Sequence, residues 1–247
     1  MKNIIVLIFI ACSFQAQAQY GITASFVSQN VPGWESITVE QYGNDAQDDF
    51  LDTGFEVAFD YWFRLKKFRV EFYPTVSYSR FSTDLVNPFL DSSSAAGTFA
   101  QNNIGLHLKT NIYPLDFEGD CDCPTWEKDG SIIKKGWFIQ LIVGGKFLNN
   151  NFDEINDFSN TNNVYTFDYG VGTGLDIGVS EFLTVTPFAN YVISTEVEWL
   201  DLDKLPAFAA NAPTNEDLNF NPTDVNRWVF GIRLGFRFDE LNKYGYR

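Results

Sequence analysis

From residue 20 to residue 238 the chain returns eight times to a strict alternation of apolar and polar side chains. Successive side chains of an extended strand point to opposite faces, so a period of two describes a strand with one apolar and one polar face. The second run sets Phe55, Val57, Phe59, Tyr61 and Phe63 against Gly54, Glu56, Ala58, Asp60 and Trp62. The last sets Trp228, Phe230, Ile232, Leu234, Phe236 and Phe238 against Val229, Gly231, Arg233, Gly235 and Arg237. The others cover 20–26, 68–78, 103–112, 137–147, 165–177 and 183–193. Several alternate over about eleven residues, whereas a globular strand has ~5–6 and a tilted membrane strand needs ~9–11. No comparable helical period competes. Pro74 and Pro187 fall inside runs, where a missing N–H predicts a bulge or local bend.

Connections alternate as well. Short turns follow the second run at 64–67 and the sixth at 179–181. Long loops take approximately 30–50, 81–98, 149–163 and 195–226. Short turns on one side and long loops on the other are the pattern of outer-membrane barrels, with the turns periplasmic. An even strand number then places both termini in the periplasm. One connection breaks the pattern: 114–135 lies on the short-turn side yet is long.

Alternation alone does not say which face is inside, because a lipocalin-like carrier would put the apolar face inward. Three features favour the membrane. The polar face is rich in Gly, Ser, Thr and Ala, as a narrow eight-strand interior requires. It carries both charge signs: Glu56, Asp60, Arg69, Glu71, Lys109, Lys146, Asp168, Asp176 and Arg233, with His107 among them. These form a predicted ion-pair network across the lumen, and eight strands favour a closed plug over an open pore. Aromatic residues also gather at run ends, as interfacial girdles do. Trp62, Phe63, Phe68, Tyr113, Trp137 and Phe238 make the expected periplasmic belt. Phe26, Phe55, Tyr78, Phe147, Tyr165 and Trp228 make the outer one.

Met1 to Ala18 reads as a secretory signal peptide, with Lys2, an apolar run to Phe14 and Ala16-Gln17-Ala18 as the cleavage site. Acylation at Cys12 is the competing reading. No stretch approaches the ~18 consecutive apolar residues of a membrane helix. The chain has 17 Lys and Arg against 32 Asp and Glu, a net charge of −15, which argues against nucleic acid as a partner. One His and three Cys leave little for a zinc cluster or a Cys/His protease. No cofactor is expected.

With this signal, these eight runs and the closing run 228–238, the chain resembles the small outer-membrane β-barrel proteins, the group of the OmpA transmembrane domain and OmpX and of many barrels from Bacteroidota. The resemblance is one of pattern and carries no catalytic signature. It implies an all-β fold over 19–247: an eight-stranded antiparallel transmembrane up-and-down β-barrel in the outer membrane, in contact with its lipid. Nine residues follow Phe238, so recognition of an aromatic C-terminal strand end by insertion machinery is implied only loosely.

Candidate sites lie mostly outside the runs. Cys121 and Cys123, one residue apart, can form a tight disulfide in an oxidising compartment, hold a soft metal or stay as thiols. The disulfide is the favoured reading. Trp126 in the same segment, and Trp199 and Leu202 in the last long loop, are candidate partner contacts. Carboxylates crowd 30–53 and 195–226, where the only cation is Lys204. A solvated acidic surface explains them, with weak calcium binding through oxygen ligands as the alternative. His107 with Ser77 or Ser79 raises a lipid-hydrolase reading, which a lumen-facing His disfavours. The sequence therefore predicts a non-enzymatic, structural or accessory outer-membrane protein that binds an outer-membrane or periplasmic protein partner through its acidic loops or through 114–135. A narrow small-solute channel is the alternative, and a lipid-acting enzyme the next.

Overall fold

A computed structural model describes residues 19–32, 34, 51–65, 68–86, 95–117, 131–154, 159–198 and 223–237. Its strands are β1 (Gln19–Asn30), β2 (Thr53–Tyr61), β3 (Phe63–Arg64), β4 (Val70–Val86), β5 (Ala95–Ile112), β6 (Trp137–Glu154), β7 (Ser159–Leu175), β8 (Ile177–Gly178), β9 (Leu183–Val197) and β10 (Thr223–Arg237). Every pairing is antiparallel, and β10 pairs with both β9 and β1, which closes the sheet into a barrel. A 3-10 turn, Pro114–Asp116, and the one-turn helix α1, Ile132–Gly136, lie between β5 and β6.

The ten segments make eight staves, and the two prolines explain the difference. Asp60 pairs with Thr75 and Phe63 with Phe72, so β2 and β3 keep one register along β4. The ladder lapses only at 61–62, opposite Tyr73 and Pro74. In the same way Gly174 pairs with Phe188 and Ile177 with Val185, and the gap lies opposite Thr186 and Pro187. The other neighbour stays paired, Pro74 with Leu108 and Pro187 with Ile232. The expected bulges are therefore absent at both prolines. Proline withholds a donor from one neighbour but inserts no residue, so register and facing survive.

A true irregularity lies elsewhere. Val197 pairs with Thr223 and Ser194 with Val225, so three steps on β9 oppose two on β10. Glu196 sits there with φ 55°. Such an insertion re-aims the next side chain, and Val197 is turned fully inward.

The faces are inverted relative to a water-soluble barrel. Leu106 is 66% exposed, Phe167 56% and Ile232 53%, and the outward wall is built of such residues. Thr23, Glu56, Asp60, Thr75, Lys146, Asp168 and Asn190 are buried in the lumen. An apolar outer wall around a polar interior suits lipid outside, so the eight staves form a transmembrane barrel. Backbone closure is what lets strands cross lipid, since every N–H and C=O finds a neighbour.

In the outer aromatic belt the Trp228 ring centre lies 4.9 Å from that of Tyr191 and 6.0 Å from that of Phe230, and the Phe147 ring centre lies 4.9 Å from that of Tyr165. The short-turn belt needs correction. Phe63 stacks on Phe72 at 5.4 Å and Trp137 faces outward, but Trp62 and Tyr113 are buried in the lumen. Trp62 shares the parity of Asp60, and parity overrides the preference of Trp for the interface. Phe238 lies outside the described residues.

The staves also run further than alternation indicates. β4 continues to Val86, β5 starts at Ala95, β6 ends at Glu154 and β7 starts at Ser159, all within segments that read as loops. Above the belt the outward face meets water and the inward face turns apolar, so the apolar-out, polar-in alternation ends. Polar side chains ladder there instead: Asn149 donates to Asn163 at 2.8 Å, and Thr161 to Asn151 at 2.9 Å. The inward side of this extension holds an apolar cluster, with Val31, Trp34, Leu51, Phe81, Phe99, Leu148, Phe152 and Val197 at its centre. It caps the loop-side mouth of the lumen.

Candidate functional site

The chemistry-bearing side chains meet inside the barrel in three tiers. The upper tier follows from register. His107, Gly144, Asp168 and Ser194 are direct cross-strand neighbours along β5, β6, β7 and β9. Gly144 has no side chain, so His107 reaches over it, and its Nε2 lies 2.9 Å from an Asp168 Oδ2 that is 0% exposed. The same oxygen accepts from Arg227 at 2.9 Å and lies 3.6 Å from the Lys146 Nζ. The Ser194 hydroxyl donates to the other oxygen at 2.6 Å, and Arg227 donates to Ser194. Asp168 is thus the hub for three basic side chains and a hydroxyl.

A Cβ at Gly144 would lie 2.7 Å from the His107 Cα, in direct conflict with backbone. Gly144→Val therefore loses the His107–Asp168 contact and overpacks the tier, for about 1–3 kcal/mol. Urea unfolding of lipid-refolded protein should show the midpoint fall with the slope unchanged.

The middle tier repeats the device. Gly21 pairs with Asp60 across β1 and β2, and the Arg233 guanidinium packs against Gly21. Arg233 donates to both Asp60 oxygens, from Nε at 3.0 Å and from Nη2 at 2.6 Å. Its guanidinium also lies 4.8 Å from the Tyr73 ring centre. Lys109 sits 5.8 Å from the centre of the Phe188 ring.

The lower tier ties the short-turn end together. Tyr73 donates to Glu71 at 2.5 Å, and the Tyr113 hydroxyl, with one proton to share, lies between Glu71 at 2.9 Å and Asp176. Thr186 donates to the other Asp176 oxygen at 2.5 Å. Arg69 donates to Asp116 at 2.5 Å and to the Lys135 carbonyl, and stacks over Tyr113 at 3.9 Å. Its backbone N–H reaches the Phe117 carbonyl at 2.9 Å.

All ten side chains read as lumen charges face inward here. Sequence reasoning missed Arg227 and Ser194, and did not count Tyr73 and Tyr113 as ligands of the acids. Arg227 precedes the last run by one residue and shares the parity of Val229 and Arg233. Extending the alternation one step would have found it. Cys121, Cys123, Trp126, Trp199 and Leu202 lie outside the described residues, as do residues 1–18 and most acidic loop positions. Among the described residues no three His, Cys, Asp or Glu side chains cluster as metal ligands do.

A hydrolytic reading needs a histidine placed between a hydroxyl and an acid. Here the acid lies between the two: Ser194 and His107 both bond Asp168. Of the serines read with His107, Ser79 accepts from Asn103 at 3.3 Å, and the Ser77 Oγ and the His107 ring both border Gly105. Lumen cavities among the described residues include three of about 20 Å³ each, enough for roughly one water apiece. Among the described residues, ion pairs fill each tier.

No family model matches the sequence, and no curated protein matches it. The fold is similar to solved outer-membrane barrels. The attachment invasion locus protein Ail of Yersinia pestis has 12% identity over 89% of this chain and 99% of its own, with a TM-score of 0.47. Neisserial surface protein A has 12% identity over 90% and 98%, with a TM-score of 0.45. OprG of Pseudomonas aeruginosa has 14% identity over 90% and 97%, with a TM-score of 0.40. On its closed ladder and its inverted faces, this chain is a small eight-stranded antiparallel transmembrane β-barrel.

Proposed function

We propose that the chain is a non-enzymatic outer-membrane protein, structural or accessory, which presents a partner-binding surface at one end of a filled barrel. One observation carries this reading. The lumen is occupied tier by tier by paired charges and is capped by an apolar cluster. Among the described residues the inward charges are engaged with one another, and this directs the reading to the two ends of the barrel. The loop side carries the acidic segments 30–53 and 195–226, and the other side carries 114–135. Both termini are periplasmic in this orientation.

Two measurements test it. Full-length protein tagged at Arg247 and purified in mild detergent should retain a protein at a one-to-one ratio. That partner should be lost when Cys121, Cys123 and Trp126 are replaced together, or when residues 199–202 are. A clean monomer by light scattering overturns the accessory role. In planar bilayers the refolded barrel should be electrically silent, and sustained unitary steps would instead favour a channel.

A further inference from the structure

We propose that a polar row on the outer wall, formed by Arg80, Asn102, Asn149 and Asn163, is a docking site for the phosphorylated sugar headgroup of a membrane glycolipid. This rests on the membrane reading above and deepens it by naming the lipid. Register sets the row. Arg80 pairs with Asn102, Asn102 with Asn149, and Asn149 with Asn163, across β4, β5, β6 and β7. All four share the parity of the outward wall. One outward step below them stand Tyr78, Ile104, Phe147 and Tyr165, which are cross-strand neighbours in the same way.

Depth in the membrane follows from those rings, because the aromatic girdle of a barrel marks the headgroup level. Tyr78 donates to Asn102 at 2.9 Å, and elsewhere on the belt Tyr191 donates to Asn226 at 3.1 Å. The wall therefore turns polar one step above both rings. Below the belt Val76 is 53% exposed and Leu106 66%, a surface for acyl chains. A molecule that touches both levels is a lipid, which separates this occupant from a soluble anion or sugar.

The bonds within the row select the headgroup. Asn102 accepts from Tyr78, Asn163 from Asn149, and Asn149 from Asn151 at 2.6 Å. The amide oxygens are thereby engaged, whereas the amide N–H groups of Asn102 and Asn163 have no partner among the described residues. Arg80 is exposed and is the one outward-facing cation of the described strands. Among the described residues no hydrogen bond or ion pair holds its guanidinium. The row thus presents donors in excess, and a guanidinium takes two phosphate oxygens at once. Its width is three strand spacings, about 14 Å. That exceeds one phosphate and leaves the amides for sugar hydroxyls. Tyr165, 81% exposed, offers a flat face to the apolar side of a sugar ring. No carboxylate shares the row. Glu56 faces the lumen, and Asp52 is half-buried and already engaged. Asp84, held by Thr98 at 2.8 Å, and Asp153 come four residues beyond Arg80 and Asn149, about 13 Å further out.

The test is native mass spectrometry of the full chain released from phosphatidylcholine nanodiscs. The discs carry equal parts of bisphosphorylated lipid A, phosphate-free lipid A and phosphatidylglycerol. The expected result is bisphosphorylated lipid A retained over both others. Arg80→Gln should cut that preference about fivefold, and Asn102→Ala with Asn163→Ala should lower it as well. Lys134→Gln, at the other end of the barrel, should leave it unchanged. Arg80→Lys keeps the charge but loses the planar fork, so its retention should be intermediate, and unheated gel mobility confirms that each variant is folded. Equal retention of the phosphate-free form overturns the proposal, because Arg80 then has no role. Equal retention of phosphatidylglycerol also overturns it, since phosphate alone would suffice. A preference that survives Arg80→Gln, or one lost with Lys134→Gln, places the lipid elsewhere and does the same. A nitroxide at Leu106→Cys, in the chain with Cys12, Cys121 and Cys123 changed to Ser, checks the membrane reading separately. If that label is open to a water-soluble nickel chelate, the membrane reading itself fails.

Discussion

Asp168→Ala should destabilise the barrel by about 3–5 kcal/mol, because removing one partner of a buried ion pair leaves charge uncompensated. Asp168 is 0% exposed and serves Arg227, Lys146, His107 and Ser194 together. Arg227 is itself 1% exposed and cannot swing to bulk water without unpacking the cap. The measurement is urea unfolding of protein refolded in lipid, followed by gel mobility and Trp fluorescence. Asp168→Asn keeps the shape and one acceptor, so its loss should be smaller. Adding Lys146→Met and Arg227→Met to Asp168→Ala should recover much of the stability, since apolar replacement of a whole buried ion cluster is often neutral or better. A loss below about 1 kcal/mol for the single variant, in the range of exposed pairs, would show that water already solvates the tier.

The architecture was legible because a closed membrane barrel has one residue-level rule, alternation, and obeys it through lipid. Fold class, stave number and facing all follow from that rule. Pro74 and Pro187 did not disturb it. A proline removes one donor, and only an inserted residue shifts parity. Where residue type and parity disagree, parity wins. Trp prefers the interface, yet the parity of Trp62 with Asp60 turns it inward under the Arg237 guanidinium, 5.5 Å from the ring centre.

Reading ended early at the belt for the same reason. Asn149 to Asn151 and Thr161 to Asn163 look like loop by composition, yet β6 and β7 pair through them. Once the outward face is wet its residues turn polar, and the inward Leu148 and Phe152 are too few to mark a strand on their own. The lumen charges were visible one by one, but their pairing was not. His107 and Asp168 are 61 residues apart and meet because Gly144 stands between them in the register. That fact requires the shear of the closed sheet, which no local pattern carries. The apolar cap was illegible for a further reason. Val31 and Trp34 follow β1, Leu51 precedes β2, and Val197 follows an inserted residue. Each reaches the mouth from a stretch without periodicity.

The cap gives the second large effect. Phe99 and Phe152 are direct neighbours on β5 and β6, both 0% exposed, with ring centres 4.4 Å apart. Truncating either to Ala should cost about 3–5 kcal/mol from lost burial and the cavity left behind. Because each ring is the other's contact, the double variant should cost less than the sum, with a coupling of about 0.5–1.5 kcal/mol for the aromatic pair. Amide exchange should locate the damage. The loop-side ends of β5 and β6 should lose protection, while the short-turn ends, held by Arg69 and Tyr113, should keep theirs. Conductance separates the two closures of the lumen. The double variant opens the mouth but leaves Asp168–Arg227 and Asp60–Arg233 in place, so it should stay silent in a planar bilayer. Steps that appear on removing the two rings alone would mean that the cap is the seal and that the ion-pair tiers beneath it are permeable. A barrel built that way would be a gated pore, and the partner at its ends would then be the element that opens it.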